Sequence, residues 1–85
     1  MTHQDIIDEL RNYEPRELIA SEYEPQPEEV YGDWWLPRDY SQWDVQDILD
    51  EFADDFNLPP ISTPEIRRST DPGVSVFVFT VPLPY

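Results

Sequence analysis

The stretch VSVFVFTV, Val74–Val81, limits the folds open to this chain more than any other segment. In an extended strand alternate residues point to opposite faces. Val74, Val76 and Val78 then share one face while Phe77, Phe79 and Val81 share the other, so both faces are apolar and both need cover. A chain of 85 residues is enough for one small domain, residues 1–85, and too short for two. The cover must therefore come from helices on one side and from aromatic side chains of a loop on the other. The preceding EIRRST reads as a partner strand joined through the turn Asp71-Pro72-Gly73. Two strands are marginal in water by themselves, so this hairpin has to pack on the rest of the chain.

Two segments have helical periodicity. Thr2 followed by Asp5 has the spacing of a capping box, and Ile6, Ile7, Leu10 and Tyr13 recur on one side until Glu14-Pro15 ends the run. Pro15 can open a further short helix with Leu18 and Ile19 as its apolar contacts. The stronger helix is SQWDVQDILDEFADDF, Ser41–Phe56, with Ser41 as N-cap, Asp44 at the capping-box position and Pro59-Pro60 closing it. Between the helices, Glu22–Tyr40 carries Pro25, Pro27, Pro37 and Gly32 and reads as an irregular, turn-rich connection with at most one helical turn over Pro27–Tyr31. Its aromatics Tyr31, Trp34, Trp35 and Tyr40 imply that it packs. The fold expected is α+β: two main helices, an aromatic and proline-rich irregular connection, and a C-terminal β-hairpin packed on the helices.

On the second helix, at 100° per residue, Val45, Ile48, Leu49, Phe52 and Phe56 fall in an arc of roughly 100°. Asp44, Asp47, Asp50, Glu51, Asp54 and Asp55 fill most of the opposite side. Like charges three or four apart destabilise a helix by about 0.2–0.5 kcal/mol per pair. Acids in the last turn also oppose the helix dipole, by about 0.3–1 kcal/mol. Folding alone would have favoured lysine there, so the pattern points to a use outside folding. Residues 1–65 hold 18 acids against three arginines, and no base occurs between Arg38 and Arg67. A second acidic group, Glu22, Glu24, Glu28 and Glu29, lies in the connection. Trp43 projects away from the apolar arc; it is either covered by the Trp34-Trp35 segment or an anchor for a partner arginine through cation–π contact. Arg67 and Arg68 read as solvated strand residues, with the alternative that they neutralise the core-side acids.

Several function classes are disfavoured. A net charge of −14 argues against direct binding of nucleic acid or of an anionic membrane, because both need bases to neutralise phosphates. It points to a basic protein partner. There is no cysteine for a disulfide or thiolate metal site, and the single histidine, His3, reads as a solvated terminal side chain. Two glycines leave no phosphate-binding loop, and paired carboxylates without a second ligand type do not make a catalytic site. Calcium loops need glycine and non-helical backbone, which excludes DEFADDF. No cofactor or metal is implied, and no enzyme. The start MTHQDIIDEL lacks the basic and apolar regions of a secretory signal, and no apolar run approaches the length of a membrane span, so the cytoplasm is the expected location.

Carboxylates three or four apart on a helix are spaced by about 5–6 Å, comparable with phosphates along one nucleic-acid strand. A row such as Asp47, Asp50/Glu51 and Asp54 can thus present the pattern that an arginine-lined DNA groove receives. In size and composition the chain resembles the small acidic inhibitors that phages and plasmids direct at nucleic-acid-binding machinery: anti-CRISPR proteins, antirestriction proteins and the uracil-DNA glycosylase inhibitor. DIIDE, Asp5–Glu9, and PEEV, Pro27–Val30, with Gly32 just beyond, resemble the last of these in spacing. The intervening YEPQ lacks that family's apolar strand, and no residue roles transfer. The resemblance implies a non-catalytic inhibitor that binds the basic nucleic-acid-binding surface of a target as a DNA mimic, acting in the host cytoplasm if phage-encoded. The alternatives are an antitoxin or adaptor that binds one basic partner without mimicry, and a salt-adapted acidic domain, for which a strongly negative surface aids solubility.

Overall fold

The computed structural model describes residues 1–84 and contains two helices and one four-stranded antiparallel sheet, an α+β fold. In chain order these are α1 (His3–Tyr13), β1 (Ala20–Gln26), β2 (Glu29–Pro37), α2 (Gln42–Asp55), β3 (Glu65–Arg68) and β4 (Val74–Pro82). The strand order is β1-β2-β4-β3.

Both helices start on the capping boxes that the sequence contains. In α1 the Asp5 amide donates to Thr2 Oγ1 at 3.2 Å and the Thr2 amide donates back to Asp5 Oδ2 at 2.9 Å. In α2 the Asp44 amide donates to Ser41 Oγ at 3.2 Å and the Ser41 amide to Asp44 Oδ2 at 2.8 Å. The bond from the Thr2 amide, followed by that from the Thr2 side chain, holds the Asp5 carboxyl below the ordinary carboxylate pKa. The end of α2 is a Schellman turn: Asn57, at φ 54°, donates to the Asp54 carbonyl and Leu58 donates to that of Ala53. Leu58 is buried just beyond it, so the helix stops before Pro59-Pro60 is reached.

The connection expected to be irregular is instead the β1–β2 hairpin. Ala20 pairs with Trp35 and the register runs to Gln26 opposite Glu29, leaving Pro27-Glu28 as the turn. No helical turn forms over Pro27–Tyr31 and no short helix follows Pro15, where Leu18 closes a single turn on the Pro15 carbonyl. The prolines are compatible with a sheet because of where they sit. Pro25 is on an edge strand, Pro27 is in the turn, and Pro37 is the last residue of β2. The β3–β4 pair is present as read, with Glu65 opposite Val78 and Arg68 opposite Ser75, but β4 also pairs with β2 along its whole length.

The sheet has one covered and one open face. Val30, Trp34, Leu36, Phe77, Phe79 and Val81 join Ile6, Ile7 and Leu10 of α1 and Val45, Leu49 and Phe52 of α2 in one core. Fully burying side chains of this size contributes about 1.5–3 kcal/mol each. Gly32 lies in this layer because its strand neighbours leave no room: a Cβ there would come within 2.8 Å of the Phe79 ring and 3.1 Å of Tyr23. The Trp34 indole donates to Tyr23 Oη at 2.8 Å, and the Tyr23 hydroxyl donates to Glu14 at 2.5 Å. Burial, followed by the Glu14 carboxylate, pushes the Tyr23 hydroxyl well above the usual phenol range. His3, read as solvated, is half-buried and hydrogen-bonds the Gln26 carbonyl at 2.5 Å, tying α1 to the end of β1. Val76 and Val78 point to the other face and stand outside the core cluster. Their neighbours there are Trp35 and Asp33 of β2, so the aromatic cover comes from a strand rather than a loop.

Candidate functional site: an acidic ridge on the second helix

Because Val45, Leu49, Phe52 and Ala53 turn α2 inward, its remaining sides face away from the sheet. Asp44, Asp47, Asp50, Glu51, Asp54 and Asp55 are all exposed. The 14 residues of α2 span about 21 Å, the rise of roughly six base pairs.

These carboxylates are not equivalent. Asp44 is held by the capping box. Asp55 accepts the Tyr13 hydroxyl, a bond that ties the ends of the two helices together and gives one of the last-turn acids a structural role. Asp50 accepts the Gln46 amide at 2.8 Å, and the same amide donates to the Ile61 carbonyl at 3.0 Å. Among the described residues Asp47, Glu51 and Asp54 make no side-chain hydrogen bond or ion pair, and they follow one another at i, i+4, i+7 along one side of the helix. Trp43 is 63 % exposed, so the Trp34-Trp35 segment does not cover it.

Two tyrosines report acids that sequence reasoning missed. The Tyr13 hydroxyl is pushed up to about 12, chiefly by its hydrogen bond to Asp55, then by burial and by the charges of Asp55, Glu51 and Glu9. The Tyr40 hydroxyl is also raised to about 12, by its 2.5 Å bond to Glu17, then by burial and by Glu17, Asp39 and Asp44. The same bond from Tyr40 lowers the Glu17 pKa. Glu9 thus joins the C-terminal end of the ridge, and Glu17 and Asp39 its N-terminal end. Nothing in the local sequence marks Glu9 and Glu17, because tertiary packing brings them to α2, whereas Asp39 stands two residues before the Ser41 N-cap and is placed by the chain itself.

The second predicted group lies elsewhere. By strand alternation Glu22 and Glu24 share the open sheet face with Tyr31, Asp33 and Trp35, on the opposite side of the sheet from the helices. Glu28 is in the β1–β2 turn and Glu29 begins β2. The structure does not bring Glu22 and Glu24 alongside the α2 row, so the two acidic groups are separate surfaces. Arg38, Arg67 and Arg68, three of the five bases, line an open notch of about 440 Å³ beside the Asp71–Gly73 turn. Arg67 and Arg68 are exposed, as read.

No protein family, curated protein or solved structure matches this chain. Its surfaces therefore have to be read from their own chemistry. Among the described residues no three His, Asp or Glu side chains are arranged to hold a metal ion. No helix among them is long and apolar enough to cross a membrane.

Proposed function

We propose that this protein is a non-catalytic inhibitor that occupies the basic nucleic-acid-binding surface of another protein as a DNA mimic, of the anti-CRISPR or antirestriction type. The observation that carries this reading is the unpaired row Asp47, Glu51 and Asp54, continued at one end by Glu9 and Asp55 and at the other by Asp44, Glu17 and Asp39. The row is unfavourable for the helix itself, and among the described residues Asp47, Glu51 and Asp54 make no side-chain hydrogen bond or ion pair within the fold. Charge-assisted bonds to arginines of a groove would convert that repulsion into binding free energy. Trp43, exposed in the first turn beside Asp44 and Asp47, supplies an aromatic surface on which an arginine can stack. The partner is a basic protein rather than a nucleic acid, and the site of action is the cytoplasm, that of the host if a phage encodes the chain.

The test is competition. Basic proteins captured on the immobilised chain from a cell lysate at low salt are challenged with duplex DNA, and the captured target is then assayed by gel shift. A mimic and DNA cannot share one groove, so DNA should release the target and the protein should displace DNA from it. A stable ternary complex of target, protein and DNA would refute mimicry and favour an adaptor.

A further inference from the structure

The open face of the sheet holds a carboxylate that the fold leaves unsatisfied. Asp33, in the middle of β2, is only 8 % exposed, and its Oδ1 is buried with no hydrogen-bond partner among the described residues. Its Oδ2 has the Tyr31 hydroxyl at 3.5 Å, too far for a bond of ordinary strength. Directly across on β1 stands Glu22, a second carboxylate, and like charges opposite one another weaken a strand pair. Two residues away on the same face and strand are Tyr31 and Trp35, one on each side of Asp33. Trp35 is 37 % exposed. The nearest base by register, Arg67 opposite Val76, bonds Glu65 at 3.5 Å with both side chains exposed; its charge also reaches Tyr31, but it makes no hydrogen bond to Asp33.

From this geometry we infer that the open sheet face is a binding site for one arginine side chain of a protein partner, with Asp33 and Glu22 as its anionic end and Trp35 and Tyr31 as its walls. A guanidinium is the cation that suits it. The planar group donates two parallel N–H bonds to a carboxylate while its face stacks on an indole or phenol, which a lysine ammonium cannot do. Burial of the Asp33 oxygen, the Glu22–Asp33 opposition and the exposure of Trp35 all disfavour the empty face, and one bound guanidinium relieves all three. The inference deepens the reading above, since a basic target would offer such an arginine, but the site lies on the layer opposite α2 and can be tested without a target.

The probe is N-acetyl-Gly-Arg-Gly-amide, titrated into ¹⁵N-labelled protein and followed by amide and indole shifts, with the Gly-Lys-Gly peptide as comparison. Saturating shifts are expected at the Trp35 indole, Asp33 and Val78. The arginine peptide should bind about fivefold more tightly than the lysine peptide. Asp33→Asn should weaken it about tenfold. Glu22→Gln and Trp35→Ala, both at exposed positions, should each weaken it several-fold and carry the test if Asp33→Asn does not fold. Replacing Asp47, Glu51 and Asp54 together by their amides should leave peptide affinity within about twofold, since screened charges on the far layer contribute little. Small unsaturated shifts spread over α2 and β1, equal affinity for the two peptides, or unchanged affinity in the Asp33 and Trp35 variants would each overturn the site. Loss of target binding in the α2 triple variant with peptide binding intact would leave both proposals standing, whereas unchanged target binding in that variant, again with peptide binding intact, would remove the ridge and keep the arginine site.

Discussion

Tyr23→Phe tests how much of this fold rests on one hydroxyl. The ring, which lies against Gly32, is kept, so no cavity opens. What is lost is the oxygen that accepts from the Trp34 indole at 2.8 Å and donates to Glu14 at 2.5 Å. Trp34 is fully buried, so no water can replace that acceptor, and a stranded buried donor costs about 1–3 kcal/mol. Glu14 is half-buried and regains water, adding little. A net loss of about 2 kcal/mol lowers the melting temperature of a domain this size by about 8–16 °C. The matching control is Tyr40→Phe, whose hydroxyl bonds Glu17 at the surface; that loss should stay within about 0.5 kcal/mol. Urea titrations at pH 7 followed by tryptophan fluorescence measure both, and equal m-values would confirm that the folded states are comparable. If Tyr23→Phe costs no more than Tyr40→Phe, the buried relay contributes nothing and the reasoning fails.

Gly32→Ala should destabilise by about 1–3 kcal/mol, because the added methyl meets the Phe79 ring at 2.8 Å in a filled core; the urea midpoint reads this. Asp47→Asn, Glu51→Gln and Asp54→Asn combined should raise the melting temperature slightly, by relieving about 0.2–0.5 kcal/mol per like-charge pair, while abolishing capture of the target. Unchanged capture would remove the ridge from the interface. Melting in dilute buffer against molar salt separates mimicry from salt adaptation: a mimic should be folded near ~0.15 M, whereas a salt-adapted domain should need far more salt to screen its charge. Tyr13 and Tyr40 have folded pKa values of about 12, above the ordinary 10.0, so the stability their protonated forms contribute is complete below pH 10 and is lost as pH rises through 12. Ultraviolet titration at 295 nm should show Tyr13 and Tyr40 ionising late and Tyr23 later still, and ordinary titration of all five tyrosines would contradict the carboxylate clusters.

Local rules were sufficient for the helices and for the last two strands. A capping box, an apolar side at helical spacing and a β-branched run are interactions over a few residues, so Thr2–Asp5, Ser41–Asp44 and Val74–Val81 declare themselves in the sequence. The apolar pattern of α2 likewise determines that its acids face outward, and with them the candidate ridge. The β1–β2 hairpin was hidden because prolines were read by their number, whereas a sheet tolerates them by position, at an edge, a turn or a strand end. Its alternation was present in Val30, Trp34 and Leu36 against Tyr31, Asp33 and Trp35, but only pairing with β4 distinguishes a strand from an extended loop. Pairing also decided what local spacing cannot. It set Glu22 opposite Asp33, and core packing gathered Glu9 and Glu17 around α2 and separated the two acidic groups onto opposite layers. Those are contacts between residues distant in the chain, fixed by register and by which face of the sheet the helices cover.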